Sequence, residues 1–334
     1  EIIKLGPSSL KSIFLYPTYR HNFNFRIRQN CNRFEKKLSL MVWSLKMKTK
    51  QIALVTGATS GIGKAYAVCF ARGGYDLILT GRRMDKLNEL AHELRELNGC
   101  HVRVIKAELG EDDDLQKVIR AIESHDNIFI LVNNAGFGSG IEFCRNTLDD
   151  HMKMLHVHVE VSVKLVYAVL PQMIGRKKGA IINVSSLGAY MPAPGSSMYS
   201  ATKLFLASFT ESLHMEVHKH NIKVQCVCPG FTHTDFHERR AAGKLNNSGK
   251  MMWMEPEEVV EKSVRSLTGN STVIIPGIMN RWLVGIVSLI PRRLYYFIME
   301  RSGKIKTGPG FFNQMKHLVE KPVSFFFPAH ADQV

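Results

Sequence analysis

The chain has 334 residues, 45% of them apolar and 22% charged. That composition excludes a disordered protein and suits one large α/β domain. The net charge of +15 is concentrated at the ends: residues 1–50 carry eleven Lys/Arg against two acids, and residues 301–334 carry five against two. Residues 51–300 are near balance and show no basic patch interleaved with aromatics, which argues against nucleic-acid binding.

Residues 1–46 form a basic extension expected to lie outside the fold. The chain starts at Glu1, and Met41 and Met47 are both plausible starts. Three readings stay open: a non-native or upstream extension, an organelle-targeting segment, and a membrane-contacting arm. From residue 51 strands and helices alternate. Ile52–Thr56 is expected as a buried strand, followed by a helix from Gly61 to Arg72 that Gly73-Gly74 ends. Asp76–Thr80 is the second strand. Leu87, Leu90, Leu94 and Leu97 repeat at helical spacing up to Gly99. Val102–Ala107 is the third strand, and Asp112, Asp113 and Asp114 open the next helix, where the helix dipole favours acids. Ile128–Val132 is the fourth strand. A long helix is expected over 149–174, a strand over Ala180–Val184, a helix over 199–219 and a strand over Ile222–Cys228. Pro256 opens a helix through Leu267, and Thr272–Ile275 is the last strand. The pattern predicts a Rossmann-like doubly wound parallel sheet in a single domain, 47–277. Residues 278–334 form an apolar, then basic, tail. Its apolar run Trp282–Ile290 is too short to span a bilayer. A lid over an apolar pocket, a membrane-surface helix and plain packing all remain open for it.

Six cysteines, at 31, 69, 100, 144, 226 and 228, have no framework spacing. Buried free thiols are expected, as in a reducing compartment. The expected location is the cytoplasm, with membrane association and organelle targeting by the extension left open. His156 and His158 point to different sides of a helix and have no evident third ligand, so no metal is expected.

Three segments carry chemistry. Gly57, Gly61 and Gly63 sit between a strand and a helix, where a backbone without Cβ atoms can approach a pyrophosphate. At the end of the second strand an NAD enzyme wants an acid for the ribose diol. Arg82-Arg83 stands there instead, and guanidinium forks suit a 2′-phosphate, so the expected cofactor is NADP(H). Tyr199 and Lys203, four apart, share a helix face, and Ser186 lies thirteen residues before Tyr199. A phenol of pKa about 10 is a poor base until a nearby ammonium stabilises its phenolate. Tyr199 is then suited to give a proton to a carbonyl oxygen as hydride reaches carbon, with Ser186 donating a hydrogen bond to the same oxygen.

From about residue 48 to 276 the chain resembles the short-chain dehydrogenase/reductase family. The resemblance rests on Thr56-Gly57-Ala58-Thr59-Ser60-Gly61-Ile62-Gly63, Asn133-Asn134-Ala135-Gly136, Asn183-Val184-Ser185-Ser186, Tyr199-Ser200-Ala201-Thr202-Lys203 and Pro229-Gly230-Phe231-Thr232-His233-Thr234. It implies that Ser186, Tyr199 and Lys203 are catalytic. It also implies cofactor contacts from Gly57, Thr59, Ser60, Gly61, Ile62, Gly63, Arg82, Arg83, Glu108, Asn134, Ala135 and Gly136, from Pro229, Gly230, Thr232 and Thr234, and from Tyr199 and Lys203. Within the family the chain most resembles the hydroxysteroid and long-chain 3-oxoacyl reductase group. Two departures stand out. The asparagine usual thirteen residues before the Pro of Leu-Pro-x-Met, here Pro171, is His158. The Asp usual after the third strand is Glu108. A histidine can carry protons, so altered pH dependence is expected at His158, with a broken relay as the alternative.

The leading expectation is an NADP(H)-dependent oxidoreductase acting on an apolar, steroid- or acyl-like ketone or alcohol. It would be a homodimer or homotetramer paired through the helices near 149–174 and 199–219, with peripheral membrane contact left open. The alternatives are a reductase of a small polar carbonyl or sugar, and a non-catalytic NADP-sensing or scaffold protein. The stretches Met191–Ser197 and 235–254 are expected to close the substrate pocket.

Overall fold

The computed structural model describes residues 51–138, 140–235, 253–269 and 271–302. Expectations for residues 1–46, for most of the stretch 235–254 and for the chain after 302 lie outside the described residues.

Seven parallel strands form one sheet in the order β3-β2-β1-β4-β5-β6-β7. They are β1 (Ile52–Thr56), β2 (Asp76–Gly81), β3 (Val102–Lys106), β4 (Ile128–Asn133), β5 (Gly179–Val184), β6 (Ile222–Val227) and β7 (Val273–Ile274). The helices are α1 (Gly61–Arg72), α2 (Met84–Asn98), α3 (Asp112–Glu123), α4 (Leu148–Leu155), α5 (Val161–Gly175), α6 (Ser197–Val217), α7 (Pro256–Ser266), α8 (Ile278–Leu289) and α9 (Arg292–Ser302). This is the doubly wound α/β sheet that the alternating pattern predicts.

Apolar residues line both faces of the central strands, because helices cover both sides. Leu54, Ile78, Leu131 and Ile181 pack with Leu115, Val118 and Ile122 of α3 and with Leu165, Val169 and Met173 of α5. Helices α1, α2 and α7 cover the other face. There Tyr66, Phe70, Leu87, Leu90, Leu94 and Val259 are buried. Leu97 departs from the expected stripe: it is 73% exposed, in the last turn before Gly99 leaves the helix with a left-handed φ of 61°.

The long helix expected over 149–174 is continuous but not uniform. A π-helical turn at His156–Glu160 separates α4 from α5. Such a turn inserts one residue and re-aims the side chains around it. By length and composition, Leu148–Gly175 is apolar enough to cross a membrane. Its apolar side, from Met154 through Val161 and Leu165 to Met173, is buried within the domain.

The apolar tail forms two helices, α8 and α9, bent by 116° at Pro291. Val287, Tyr295, Ile298 and Met299 are buried there, with Met191, Ala193, Leu283 and Leu294 against them. The Tyr295 hydroxyl donates to the Pro192 carbonyl at 2.8 Å. The tail therefore buttresses the segment that follows Ser186.

Among the described residues Cys69, Cys100, Cys144, Cys226 and Cys228 are free thiols. Cys226 and Cys228 are buried with sulfurs 3.6 Å apart. Cys144 is exposed, contrary to expectation, because it lies in the short 3₁₀ turn Phe143–Arg145, which buries none of its residues.

A polar chain crosses the core from α1 to β6. Tyr66 donates to Ser263 Oγ at 2.6 Å, and Ser263 donates to Gln225 Oε1 at 2.6 Å. Removing the middle hydroxyl leaves two buried groups without their partner. Ser263→Ala is expected to cost about 2 kcal/mol of stability, measured by chemical denaturation. A loss below about 0.5 kcal/mol would show that these groups find other partners.

Candidate active site

The strand order reverses between β1 and β4, and in an open α/β sheet the crevice at that point is where ligands bind. A cavity of about 380 Å³ opens there. Its walls are the loop after β1, the ends of β2 and β4, the 184–186 segment, Tyr199 and Lys203 of α6, and the strap 229–235.

The β1–α1 loop is shaped by glycine. Gly57 and Gly61 adopt left-handed φ values of 66° and 54°. At Gly63 a Cβ would collide with the Gly57 carbonyl and come within 2.5 Å of Asn134 Nδ2. Ser60, the N-cap of α1, makes no capping bond with its side chain, and the first turn carries no acid. The positive end of the helix thus meets the cavity beside Ser60, Gly61 and Ile62, where it suits a pyrophosphate.

Side chains tie this loop to β4. Thr56 Oγ1 accepts from the backbone N–H of Asn134 at 2.9 Å and of Ala135 at 3.0 Å. Asn134 Nδ2 donates to the Thr56 carbonyl at 2.9 Å and the Gly57 carbonyl at 3.2 Å.

The two arginines part company. Arg83 Nη2 donates to Thr59 Oγ1 and Ser60 Oγ, each at 3.0 Å, and Nη1 pairs with Asp235 at 3.0 Å. Arg82, the more exposed of the two, meets Glu108 at 3.4 Å on the cavity wall. Burial works to raise the Asp235 carboxyl, but bonds from Arg83 and Ser60 outweigh it and hold the group below the usual carboxylate range. The Arg83 fork is taken up by Asp235, Thr59 and Ser60, so a 2′-phosphate would have to take the place of the Asp235 carboxylate on Nη1.

Lys203 is 5% exposed. Its Nζ donates to the Val184 carbonyl at 3.0 Å and lies 5.8 Å from the Tyr199 ring centre. Desolvation pulls its pKa down to about 8, against the opposing influence of Cys226 and Cys228. At neutral pH it is still mostly an ammonium. Ser186 caps the 3₁₀ turn Leu187–Ala189 by accepting from the Gly188 N–H at 3.1 Å. A Cβ on Gly188 would stand 3.2 Å from Tyr199 Cε1 and 3.5 Å from Ser186 Oγ, so that glycine lets the serine and the tyrosine ring approach each other.

His158 is fully buried beside this group. Its Nε2 accepts from the Phe137 N–H at 2.9 Å, and its Nδ1 lies 2.9 Å from Thr202 Oγ1. Among the described residues no group of three or more His, Cys, Asp or Glu is placed to hold a metal ion.

Every expected site residue except Gly63, His158 lines the cavity: Ser186, Tyr199 and Lys203, the loop residues Gly57, Thr59, Ser60, Gly61 and Ile62, then Arg82, Arg83, Glu108, Asn134, Ala135, Gly136, Pro229, Gly230, Thr232 and Thr234. Gly63 stands behind the loop and shapes it. Phe137 and Thr202 had no expected site role, and Asp235 was expected only as the start of the stretch closing the substrate pocket. Only the position of Thr202 within the Tyr199–Lys203 turn pointed to it.

The chain also matches the family model for short chain dehydrogenases over residues 51–244. The chain belongs to the short-chain dehydrogenase family. Human 17-beta-hydroxysteroid dehydrogenase type 3 is 31% identical over 80% of this chain and 85% of its own length. Duck very-long-chain 3-oxoacyl-CoA reductase is 38% identical over 54% of this chain, a match that spans only 60% of that protein. Among solved structures, a short-chain dehydrogenase from Sphingobium yanoikuyae in complex with NADPH is 32% identical, with a TM-score of 0.65 over 72% of this chain and 96% of that one.

In this short-chain dehydrogenase the buried ammonium has a measurable cost. An unfolded lysine titrates near 10.5, a folded Lys203 near 8, so between those values the unfolded state holds the extra proton and stability rises with pH. Below about 8 the penalty is present in full. Lys203→Met is expected to be more stable than wild type at pH 7, by about 3 kcal/mol at most. The gap should close as pH rises from about 8 toward 10.5. Denaturant unfolding across that range checks it, and a gap that does not change with pH would contradict it.

Proposed function

We propose that this protein is an NADP(H)-dependent oxidoreductase that interconverts a ketone and a secondary alcohol on an apolar, steroid- or acyl-like body. The observation that carries the reading is the convergence of Ser186, Tyr199 and Lys203 on one cavity with the Arg83 seat. Gly57, Ser60, Gly61 and Ile62 would hold the cofactor's pyrophosphate, Arg83 with Thr59 its 2′-phosphate, and Pro229–Thr234 its nicotinamide end. When bound, that cofactor supplies the hydride.

The chain's own residues handle the carbonyl oxygen. Tyr199 donates its phenolic proton to the oxygen in the reductive direction and takes it back in the oxidative one. Lys203, a cation in a poorly solvated site, lowers the cost of the phenolate that results. Ser186 donates a hydrogen bond to the same oxygen. The strap 229–235 lines the cavity on that side.

The apolar substrate class rests on three supports. Met191 and Ala193, in the segment after Ser186, pack against α8 and α9. The outer face of α8 carries Ile278, Trp282, Ile286 and Leu289 in one stripe, with Leu289 85% exposed, and Arg281, Arg292 and Arg293 beside it. Such a face suits a lipid surface and a substrate drawn from it. The similar proteins named above act on a hydroxysteroid and a very-long-chain 3-oxoacyl-CoA. Exposed Leu148, Met152, Leu155, Leu204, Phe205 and Met215 on the neighbouring helices α4 and α6 support pairing of two copies through that side.

Tyr199→Phe keeps the ring and removes the proton. Ketone reduction should fall by about a hundredfold or more with NADPH affinity nearly unchanged, followed by NADPH absorbance and fluorescence titration. A variant with most of the wild-type turnover would remove Tyr199 from the mechanism. Arg83→Ala should weaken NADPH about tenfold or more while NADH binding changes little. Equal losses for the two cofactors would mean that Arg83 does not read the 2′-phosphate.

A further inference from the structure

His158 stands where the resemblance to the family implies an asparagine, and its surroundings decide what it can do. The Phe137 backbone N–H can only donate, so the His158 Nε2 that faces it at 2.9 Å must present a lone pair. The single ring hydrogen of a neutral imidazole is then on Nδ1, 2.9 Å from Thr202 Oγ1. The Thr202 hydroxyl passes its own hydrogen to the Tyr199 carbonyl at 3.0 Å. The bonds run one way, from His158 to Thr202 to the backbone of Tyr199, and no link has a proton to spare.

A second proton on the ring would have to sit on Nε2, facing the Phe137 N–H, and would create a second buried cation beside Lys203. The closeness is seen at Gly136, where a Cβ would be 2.9 Å from His158 Nε2 and 3.4 Å from Lys203 Nζ. The charged group that faces His158 is Lys203 of α6, and the titratable neighbour is Tyr199, its ring centre 6.0 Å away. Desolvation first, and Lys203 second, hold the imidazole well below its ordinary pKa. The π-helical turn His156–Glu160 re-aims residue 158 inward, and Ser162 Oγ secures its carbonyl at 2.9 Å.

We propose that His158 is a permanently neutral positioning residue that stitches the loop after β4, through Phe137, to the Tyr199–Lys203 turn of α6, through Thr202, and that it carries no proton in the reaction. Protons that leave Lys203 therefore do not pass through residue 158. The inference rests on the oxidoreductase reading only for its kinetic half.

The test uses the full chain labelled with ¹⁵N-histidine, with His158→Gln to assign the ring signals. Gln can still accept from the Phe137 N–H. The expected result is one Nδ1–H, Nε2-lone-pair tautomer that does not change from about pH 5.5 to about pH 8.5. A ring that titrates in that interval, or a proton on Nε2, overturns the proposal. On the same two proteins, the pH profiles of kcat for NADPH-dependent ketone reduction should have the same limbs, with His158→Gln lower in kcat by about tenfold or less. A wild-type limb near pH 6 to 7 that disappears in His158→Gln would also overturn it. If neither protein reduces any ketone, the oxidoreductase reading fails while the ring signals still decide the state of His158.

Discussion

An ammonium buried at the C-terminal end of a parallel sheet is the constraint around which this molecule is arranged. Lys203 cannot be solvated at 5% exposure, so the fold must supply what water would. The last carbonyl of β5, at Val184, takes one of its hydrogens. Tyr199 lies one turn earlier on α6, within reach of its field. The same helix is anchored by the Ser185 hydroxyl on the Lys203 carbonyl at 2.7 Å. A cation left in a cavity and stabilised only in part is a strained arrangement, and sites that do chemistry are where such costs concentrate.

The rest of the site serves to hold that cation and phenol opposite a preformed crevice. A chain of buried amides and hydroxyls fixes the relation of the strands that bear it. Asn133 donates to Asn183 at 2.9 Å, and Asn183 donates to Thr210 at 2.9 Å, linking β4, β5 and α6. Thr56 and Asn134 do the same between β1 and β4 at the switch point. Polar groups this deep are tolerated because nearly all of them are paired, and once paired they define one geometry.

Much of this was legible in the sequence, for physical reasons. Short β-branched runs bounded by glycine, and leucines at helical spacing, placed β1 through β6 and α1 through α3 to within a residue or three. The glycine turn, the arginine pair and the Tyr199/Lys203 spacing depend on local backbone geometry, which a sequence displays. What stayed hidden depends on distance through space. The π-helical turn at His156–Glu160 leaves the apolar period of the long helix almost unbroken, so only the inward turn of His158 reveals it. Asp235 reaches Arg83 across 152 residues of chain, and no spacing rule encodes that. Arg82 and Arg83 are equivalent on paper, but in the structure one meets Glu108 and the other sits among Thr59, Ser60 and Asp235.

If, as proposed above, the Lys203 ammonium drives the chemistry at Tyr199 and is not merely part of the packing, its removal must slow hydride transfer. Single-turnover oxidation of NADPH, with and without deuterium at the transferred position, tests it most directly, using a bulky apolar ketone on wild type and Lys203→Met. The expected result is a slower wild-type reaction with the deuterated cofactor, and a Lys203→Met protein that still binds NADPH but oxidises it slower by about a thousandfold. A Lys203→Met protein that oxidises bound NADPH as fast as wild type, with the same isotope effect, would contradict it.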